Sequence, residues 1–179
     1  LRAVPFSHGD FGVLDRGEAD FLLTAIDSRG GRYRRRLLFT DTHVTVMNAR
    51  LARRLGSRLT LEDFVNLDHG LVSVEGHGEG FVDTALRGQG LRRRVVLRIP
   101  TFPLIPAMCA ARDLVLTIPL RITRTFPRSP RLAVLEPPLV LHDAAFYLYW
   151  HARNHHNPAH AWLRRQVFDV CAALPAGDT

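Results

Sequence analysis

The stretch RRVVLRIPTFPLIPAMCAARDLVLTIP, residues 93–119, decides the fold class of this chain. The apolar runs at its two ends, residues 93–100 and 114–119, are short enough to be buried β-strands. Between them, residues 101–113 combine Thr and Pro with an Ala-rich apolar run, which predicts a loop followed by a helix. A strand, a helix and a second strand in this order are the repeating unit of an α/β protein.

The same alternation continues on both sides of this unit. Further strands or extended segments are predicted over residues 1–6, 19–26, 34–40, 42–48, 70–74, 131–139 and 145–153. Further helices are predicted over residues 10–16, 60–67, 81–87, 119–126 and 158–173, the second with Thr60 as N-cap and Asp63 at N3. We therefore expect an α/β fold with mixed sheets and flanking helices.

Length and composition indicate a compact cytoplasmic protein. The 179 residues are 46% hydrophobic, enough for a core in one large domain or one unit of two lobes. No apolar run reaches the roughly 18 residues of a membrane span, and LRAVPFSHGD at the start lacks the features of a signal peptide. Cys109 and Cys171 both lie in apolar helix-like segments, which favours buried thiols over a disulfide and suits a reducing compartment.

The net charge of +7 comes entirely from arginine, because the chain contains no lysine. Arginines cluster at residues 32–36, 53–54 and 92–94, each beside a predicted strand or loop. These clusters are typical of solvated faces. Tyr33 interrupts the first cluster, but aromatic residues do not interleave with the clusters in the way that a binder of single-stranded nucleic acid would need.

The segment HARNHHNPAH, residues 151–160, holds four of the nine histidines and raises the possibility of a metal site. Asn157 as N-cap and Pro158 at N1 predict that a helix begins here. The histidines then spread over a strand end, a connection and a first helical turn, whereas zinc needs three or four converging ligands. We therefore expect surface imidazoles and no metal. A metal-dependent enzyme is the weaker alternative, using His151, His155, His156 and His160.

The closing helix itself should bury an apolar face at helical spacing. The residues expected on that face are Trp162, Leu163, Val167, Val170 and Cys171.

The first candidate ligand segment is VSVEGHGEGF, residues 72–81, which passes from a strand through a Gly-rich loop into a helix. Such loops direct backbone N–H groups and a positive helix end toward an anion. Ser73 and the side chains of Glu75, His77 and Glu79 would surround that anion. The glycine spacing matches neither the dinucleotide fingerprint nor a P-loop, so a plain glycine turn is the alternative.

The second candidate is PTFPLIPAM, residues 100–108, where Thr101 is predicted to cap a helix that begins near Pro103, with Phe102 beside it. In open α/β sheets, ligands bind beyond the carboxyl ends of the strands. Two helix starts facing one crevice would suit a small carboxylate, and an aromatic wall would favour an aromatic acid. The alternative is that Thr101 is only a cap and Phe102 only a core residue.

No motif in the sequence requires bond-making chemistry. Ser73 lies in VSVEG and not in a G-x-S-x-G elbow. Cys109 lies within an apolar helix, where packing accounts for it, and the carboxylates form no evident pair. We therefore expect a protein that is not an enzyme and that needs no cofactor.

Four segments in this order resemble the effector-binding domain of LysR-type transcriptional regulators. They are LDRGEADFLL (14–23), LTLEDFVNLDHGLVS (59–73), LRRRVVLRIPTFPLIPAMCAARDLVLTIPLRI (91–122) and YWHARNHHNPAHAWLRR (149–165). The last is particularly similar to the branch with NodD-type and aromatic-responsive members. The resemblance covers nearly the whole chain, and the order and spacing of the segments carry its specificity.

The resemblance implies a two-lobed fold like that of type 2 periplasmic binding proteins. The chain would cross between lobes near Asp41–Thr42 and near residues 136–139, so that subdomain I is residues 1–41 with 139–179 and subdomain II is residues 42–138. The family's domain begins with one further strand and helix, and a winged helix-turn-helix precedes it. We expect neither of these segments within residues 1–179.

The resemblance also implies a small-molecule effector between the lobes, promoter DNA bound through the N-terminal domain, and a homodimer or homotetramer with no membrane contact. The aromatic-responsive branch often has His where Thr101 stands here. A solute-binding protein of a transporter, with a similar lobe plan, is the main alternative. The effector-binding residues implied are Thr24, Ala25, Ser73, Glu75, Gly76, His77, Thr101, Phe102 and Ile105.

Overall fold

A computed structural model of the protein describes residues 2–4, 9–27, 31–56, 58–73 and 78–174. The chain divides into two compact units, which we call unit 1 (Leu1–Asp41 with Ala144–Thr179) and unit 2 (Thr42–Asp143). The return to unit 1 comes at residue 144, five residues after the position expected from the sequence. The difference arises because Leu139 and Leu141 pack into a core of unit 2.

Strands and helices alternate along most of the described chain, and two short 3-10 turns, at Phe102–Leu104 and Ala152–Asn154, connect them in places. In chain order the elements are α1 Gly12–Asp15, β1 Leu22–Thr24, β2 Tyr33–Asp41, β3 His43–Asn48, α2 Ala49–Leu55, α3 Leu61–Asn66, β4 Asp68–Val72, α4 Phe81–Arg87, β5 Arg94–Ile99, α5 Ile105–Ala111, β6 Leu114–Pro119, α6 Leu120–Thr123, β7 Leu132–Leu135, β8 Ala144–His151 and α7 Pro158–Ala172.

Unit 1 contains a sheet in which β8 lies between β1 and β2 and pairs antiparallel with both. The aromatic run AFYLYWH gives β8 the bulk to form the middle of this sheet. Its core consists of Phe11 and Leu14 from the α1 region, packed on Leu22 and Tyr149. Residues 2–4 form no strand, and the rest of the strand predicted over residues 1–6 lies outside the described residues.

Unit 2 contains a five-stranded mixed sheet in the order β5-β4-β6-β3-β7. β4 pairs parallel with β5 and β6, while β3 pairs antiparallel with β6 and β7. Every residue of β6 is buried, as expected for a continuous apolar run inside a sheet covered on both faces. One core packs α2, α3 and α4 on the sheet, and a second core packs α5 on it.

Side-chain caps begin several of the helices, as the sequence predicted for two of them. The Thr60 hydroxyl accepts from the Asp63 N–H at 3.1 Å, and Asn157 Oδ1 accepts from the N–H groups of Ala159 and His160. Helix α2 was not predicted, although its start carries an equivalent cap, in which Asn48 accepts from the Arg50 N–H at 2.8 Å.

The predicted apolar face of α7 is wrong in part, because Leu163, Val167 and Cys171 are half-buried but the other two residues are not. Trp162 and Val170 are 63% and 66% exposed, whereas Arg164 is only 7% exposed. Arg164 turns inward because its guanidinium donates to the carbonyl oxygens of Asn154 and His155. No helix within the described part of the chain is long and apolar enough to cross a membrane.

Candidate functional site

The two ligand segments singled out in the sequence meet at one edge of the unit 2 sheet. β4 and β5 are parallel and end together, with Val72 opposite Ile99. Ser73 follows β4 directly, and its N–H donates to the Ile99 carbonyl at 2.8 Å. Thr101 comes two residues after the end of β5. The carboxyl ends of adjacent parallel strands are the usual ligand-binding edge of an α/β sheet, and we call this edge the β4–β5 edge.

Thr101 occupies the N-cap position of the 3-10 turn but makes no capping hydrogen bond, so the predicted cap is wrong. Pro103 stands at N2 and has no N–H to donate, which removes one of the two donors a capping side chain could use. Thr101 is consequently an exposed side chain at the β4–β5 edge, with Phe102 half-buried beside it. Ile105, by contrast, is fully buried in the core under α5.

A pair of rings at the same edge was missed in the sequence. Phe81 begins α4, and its ring centroid lies 4.1 Å from that of His43. His43 begins β3 opposite Pro119, which ends β6, so the antiparallel pairing brings it to the β4–β5 edge. Phe81 is 42% exposed. The sequence signal available was the position of an aromatic residue directly after the Gly-rich loop.

The remaining candidate residues fall elsewhere. Thr24 ends β1 in unit 1, where it is buried and its hydroxyl accepts from the Ile26 N–H at 3.1 Å. Ala25 follows it and is exposed. Ser73 is half-buried. Glu75, Gly76 and His77 lie outside the described residues.

Three of the four histidines of residues 151–160 contact different residues outside the cluster, and the ring of His156 packs against that of His155 at 4.7 Å. His151 Nε2 lies 3.3 Å from Asp15 Oδ1, and His160 Nε2 lies 3.2 Å from Asp20 Oδ1. His155 stacks on Trp150 with an interplanar angle of 5°. Within the described ranges, no three His, Cys, Asp or Glu side chains come together as metal ligands would. These histidines therefore connect α1, β8 and α7 inside unit 1.

The fold and this edge define a class of protein before any comparison of sequences. Two α/β units joined by two crossovers, with polar side chains at the carboxyl ends of parallel strands, are features of ligand-sensing domains with the type 2 periplasmic-binding-protein fold. The regulatory domain of MexT, a transcriptional activator in Pseudomonas aeruginosa, superimposes with a TM-score of 0.77 at 25% identity, over 88% of this chain and 76% of that one.

The family follows from the sequence as a whole. The family model described as the LysR substrate binding domain matches residues 7–172, so the chain belongs to this family of LysR-type transcriptional regulators. It is 31% identical to the HTH-type transcriptional activator NahR of Pseudomonas putida, over 88% of this chain and 52% of NahR. It is 29% identical to nodulation protein D 1 of Bradyrhizobium diazoefficiens, over 98% of this chain and 56% of that protein.

The chain thus spans about half the length of these curated relatives. Both relatives and the MexT domain are named as regulators or as a nodulation protein, which favours a regulator over the solute-binding protein of a transporter.

Proposed function

We propose that this domain senses a small carboxylated effector, aromatic acids included, and carries the oligomer contacts of its regulator. The observation that supports the proposal is the convergence of Ser73, Thr101 and the Phe81–His43 ring pair at the β4–β5 edge. The proposed effector-binding residues are Thr24, Ala25, Ser73, Glu75, Gly76, His77, Thr101, Phe102 and Ile105, to which we add Phe81.

The chemistry of the edge suits such a ligand. A carboxylate is an acceptor, and the hydroxyl group of the exposed Thr101 can donate to it. The oxygen of that hydroxyl accepts no capping hydrogen bond from the 3-10 turn. The exposed face of Phe81 offers a flat apolar surface for an aromatic ring. Ile105 is buried in the core. Within the proposed set, its role would be to support the 3-10 turn that carries Phe102.

Regulation then requires that the effector bind one conformation of the protein more tightly than another. In the proposed mechanism this preference changes the packing of subunits in a homodimer or homotetramer. The change repositions the DNA-binding domains at a promoter, and these domains would lie in the N-terminal part of a longer polypeptide. The regulator would act in the cytoplasm.

The test is a thermal-shift screen of the chain against small aliphatic and aromatic carboxylic acids. A ligand that binds the folded state raises Tm as its concentration increases. Thr101→Val should abolish most of the shift, while Thr84→Val, which changes an exposed threonine of α4, should leave it intact. An equal shift in the wild type and Thr101→Val would contradict the assigned site, and no shift with any acid would contradict the carboxylate class.

A further inference from the structure

An ion pair buried in unit 2 has no part in the site described so far. The Arg93 side chain is 2% exposed and the Asp83 side chain 18% exposed. Arg93 Nε donates to Asp83 Oδ1 at 2.7 Å, and Arg93 Nη2 donates to Asp83 Oδ2 at 2.9 Å. A buried ion pair contributes little net stability compared with apolar residues of the same size, because desolvation offsets its attraction. The pair therefore serves here to fix geometry, because two parallel hydrogen bonds hold both side chains in one orientation.

The pair is part of a longer chain of hydrogen bonds. Asp83 Oδ2 also accepts from the Gly80 N–H at 2.7 Å. On the other side, Arg93 Nη1 lies 3.4 Å from His69 Nδ1, and His69 Nε2 lies 2.6 Å from the Phe64 carbonyl oxygen. A carbonyl only accepts, so His69 carries its proton on Nε2 and presents Nδ1 as an acceptor to Arg93. The network thus joins the start of α4 to β4 and to the end of α3.

The network ends next to the ring pair of the β4–β5 edge. Gly80 is the residue before Phe81, and its packing is tight: an added Cβ would lie 2.9 Å from Leu71 Cδ1 and 3.5 Å from Arg93 Nη2. The Gly80 backbone is therefore held from both sides, by Asp83 through its N–H and by Leu71 through contact. The direction in which Phe81 leaves the backbone is fixed by the same contacts.

We propose that Arg93 and Asp83 are positioning residues for effector binding, which hold Phe81 against His43 so that its exposed face meets the effector. This inference rests on the proposed function, and it adds two residues that touch no ligand themselves. Their loss should weaken binding by more than the loss of stability explains.

The experiment measures the Kd of benzoate by calorimetry at 10 °C, far below Tm, for Asp83→Asn and Arg93→Lys. Both variants keep side-chain size close to the original and break the two-bond pairing, because asparagine has one acceptor oxygen where aspartate has two and lysine lacks the guanidinium fork. The control is Leu86→Ala, which removes a fully buried side chain of the same helix and leaves the network intact. If Leu86→Ala does not fold, Leu86→Met replaces it.

We expect at least a tenfold higher Kd for both network variants and a change below twofold for the control, even if the control lowers Tm as much. A Kd that follows Tm across all variants would overturn the proposal. Amide hydrogen exchange distinguishes a failure of the positioning proposal from a failure of the proposed function. If wild type does not bind benzoate, faster exchange confined to residues 80–84 in Asp83→Asn still supports positioning, and faster exchange spread equally over α3 overturns it.

Discussion

Arg164 lies over the ring of Trp150, with its guanidinium carbon 4.8 Å from the ring centroid. In the same position it donates to the Asn154 carbonyl at 3.2 Å and to the His155 carbonyl at 2.6 Å. Burial lowers the pKa of Arg164 from its ordinary value, although the group remains charged. This one side chain therefore holds α7 to the connection that carries the clustered histidines.

Replacing Arg164 by Lys should destabilise unit 1 by about 2 kcal/mol, because an ammonium cannot bond both carbonyls and stack on the indole at once. Urea unfolding followed by Trp150 fluorescence measures this, in a Trp162→Phe background that removes the exposed indole. The exposed neighbour provides the control, since Arg165→Lys should change stability by less than about 0.5 kcal/mol. Equal losses of unfolding free energy in the two variants would show that the buried contacts of Arg164 do not stabilise unit 1.

The stability of unit 2 should depend on pH through His69. Burial lowers the pKa of His69 from 6.5 to about 4. Between these values the unfolded chain binds more protons than the folded one, so stability is full above pH 6.5 and falls as the pH decreases toward 4. The pKa difference corresponds to a loss of about 3 kcal/mol across that window.

Chemical denaturation at pH 7.0, 6.0 and 5.0 measures this dependence. His69→Gln should flatten it, because glutamine does not titrate in this range, while His142→Gln at an exposed position should not change it. A wild type whose stability is constant from pH 7 to 5 would contradict the assignment.

The elements that the sequence predicted are those with local signals. The alternation of β3, the Thr60 cap and the Asn157–Pro158 helix start depend on residues within a few positions of each other, and the structure confirms these elements. Helix α2 had comparable signals, with Asn48 before it and Leu51 and Leu55 at helical spacing, and could have been found.

The features that could not be predicted depend on distant residues. Charged side chains are rarely buried. Arg164 is buried because two carbonyl oxygens of a preceding turn accept hydrogen bonds from its guanidinium. His69 lies 24 residues before Arg93, and nothing local marks it as buried. At the candidate site, the strand ends were predictable, but the Phe81–His43 pair was not, since it requires the order of strands in the sheet.

The two cysteines should differ sharply in reactivity. Cys109 is fully buried, and desolvation raises its pKa to about 12, so at pH 8 only about one thiol in 10⁴ is ionised. Cys171 is half-buried on α7. A chromogenic disulfide reagent should therefore modify Cys171 in the native protein and Cys109 only at the rate of unfolding. Cys171→Ser should lose the fast phase, and retention of that phase would contradict the assignment.

Gly70 and Leu116 provide a test of packing between neighbouring strands β4 and β6. A Cβ at Gly70 would lie 2.8 Å from Leu116 Cγ and 3.0 Å from each of its methyl carbons, and Leu116 is 1% exposed. Gly70→Ala should therefore cost about 1–3 kcal/mol by overpacking, and Leu116→Ala about 2–5 kcal/mol by leaving a cavity.

In the double variant the new methyl group occupies part of that cavity. The double variant should consequently lose at least about 1 kcal/mol less than the sum of the single changes, as measured by a double-mutant cycle in urea. Additive costs would mean that β4 and β6 move apart in Gly70→Ala to accommodate the methyl group, so that Leu116 no longer opposes it.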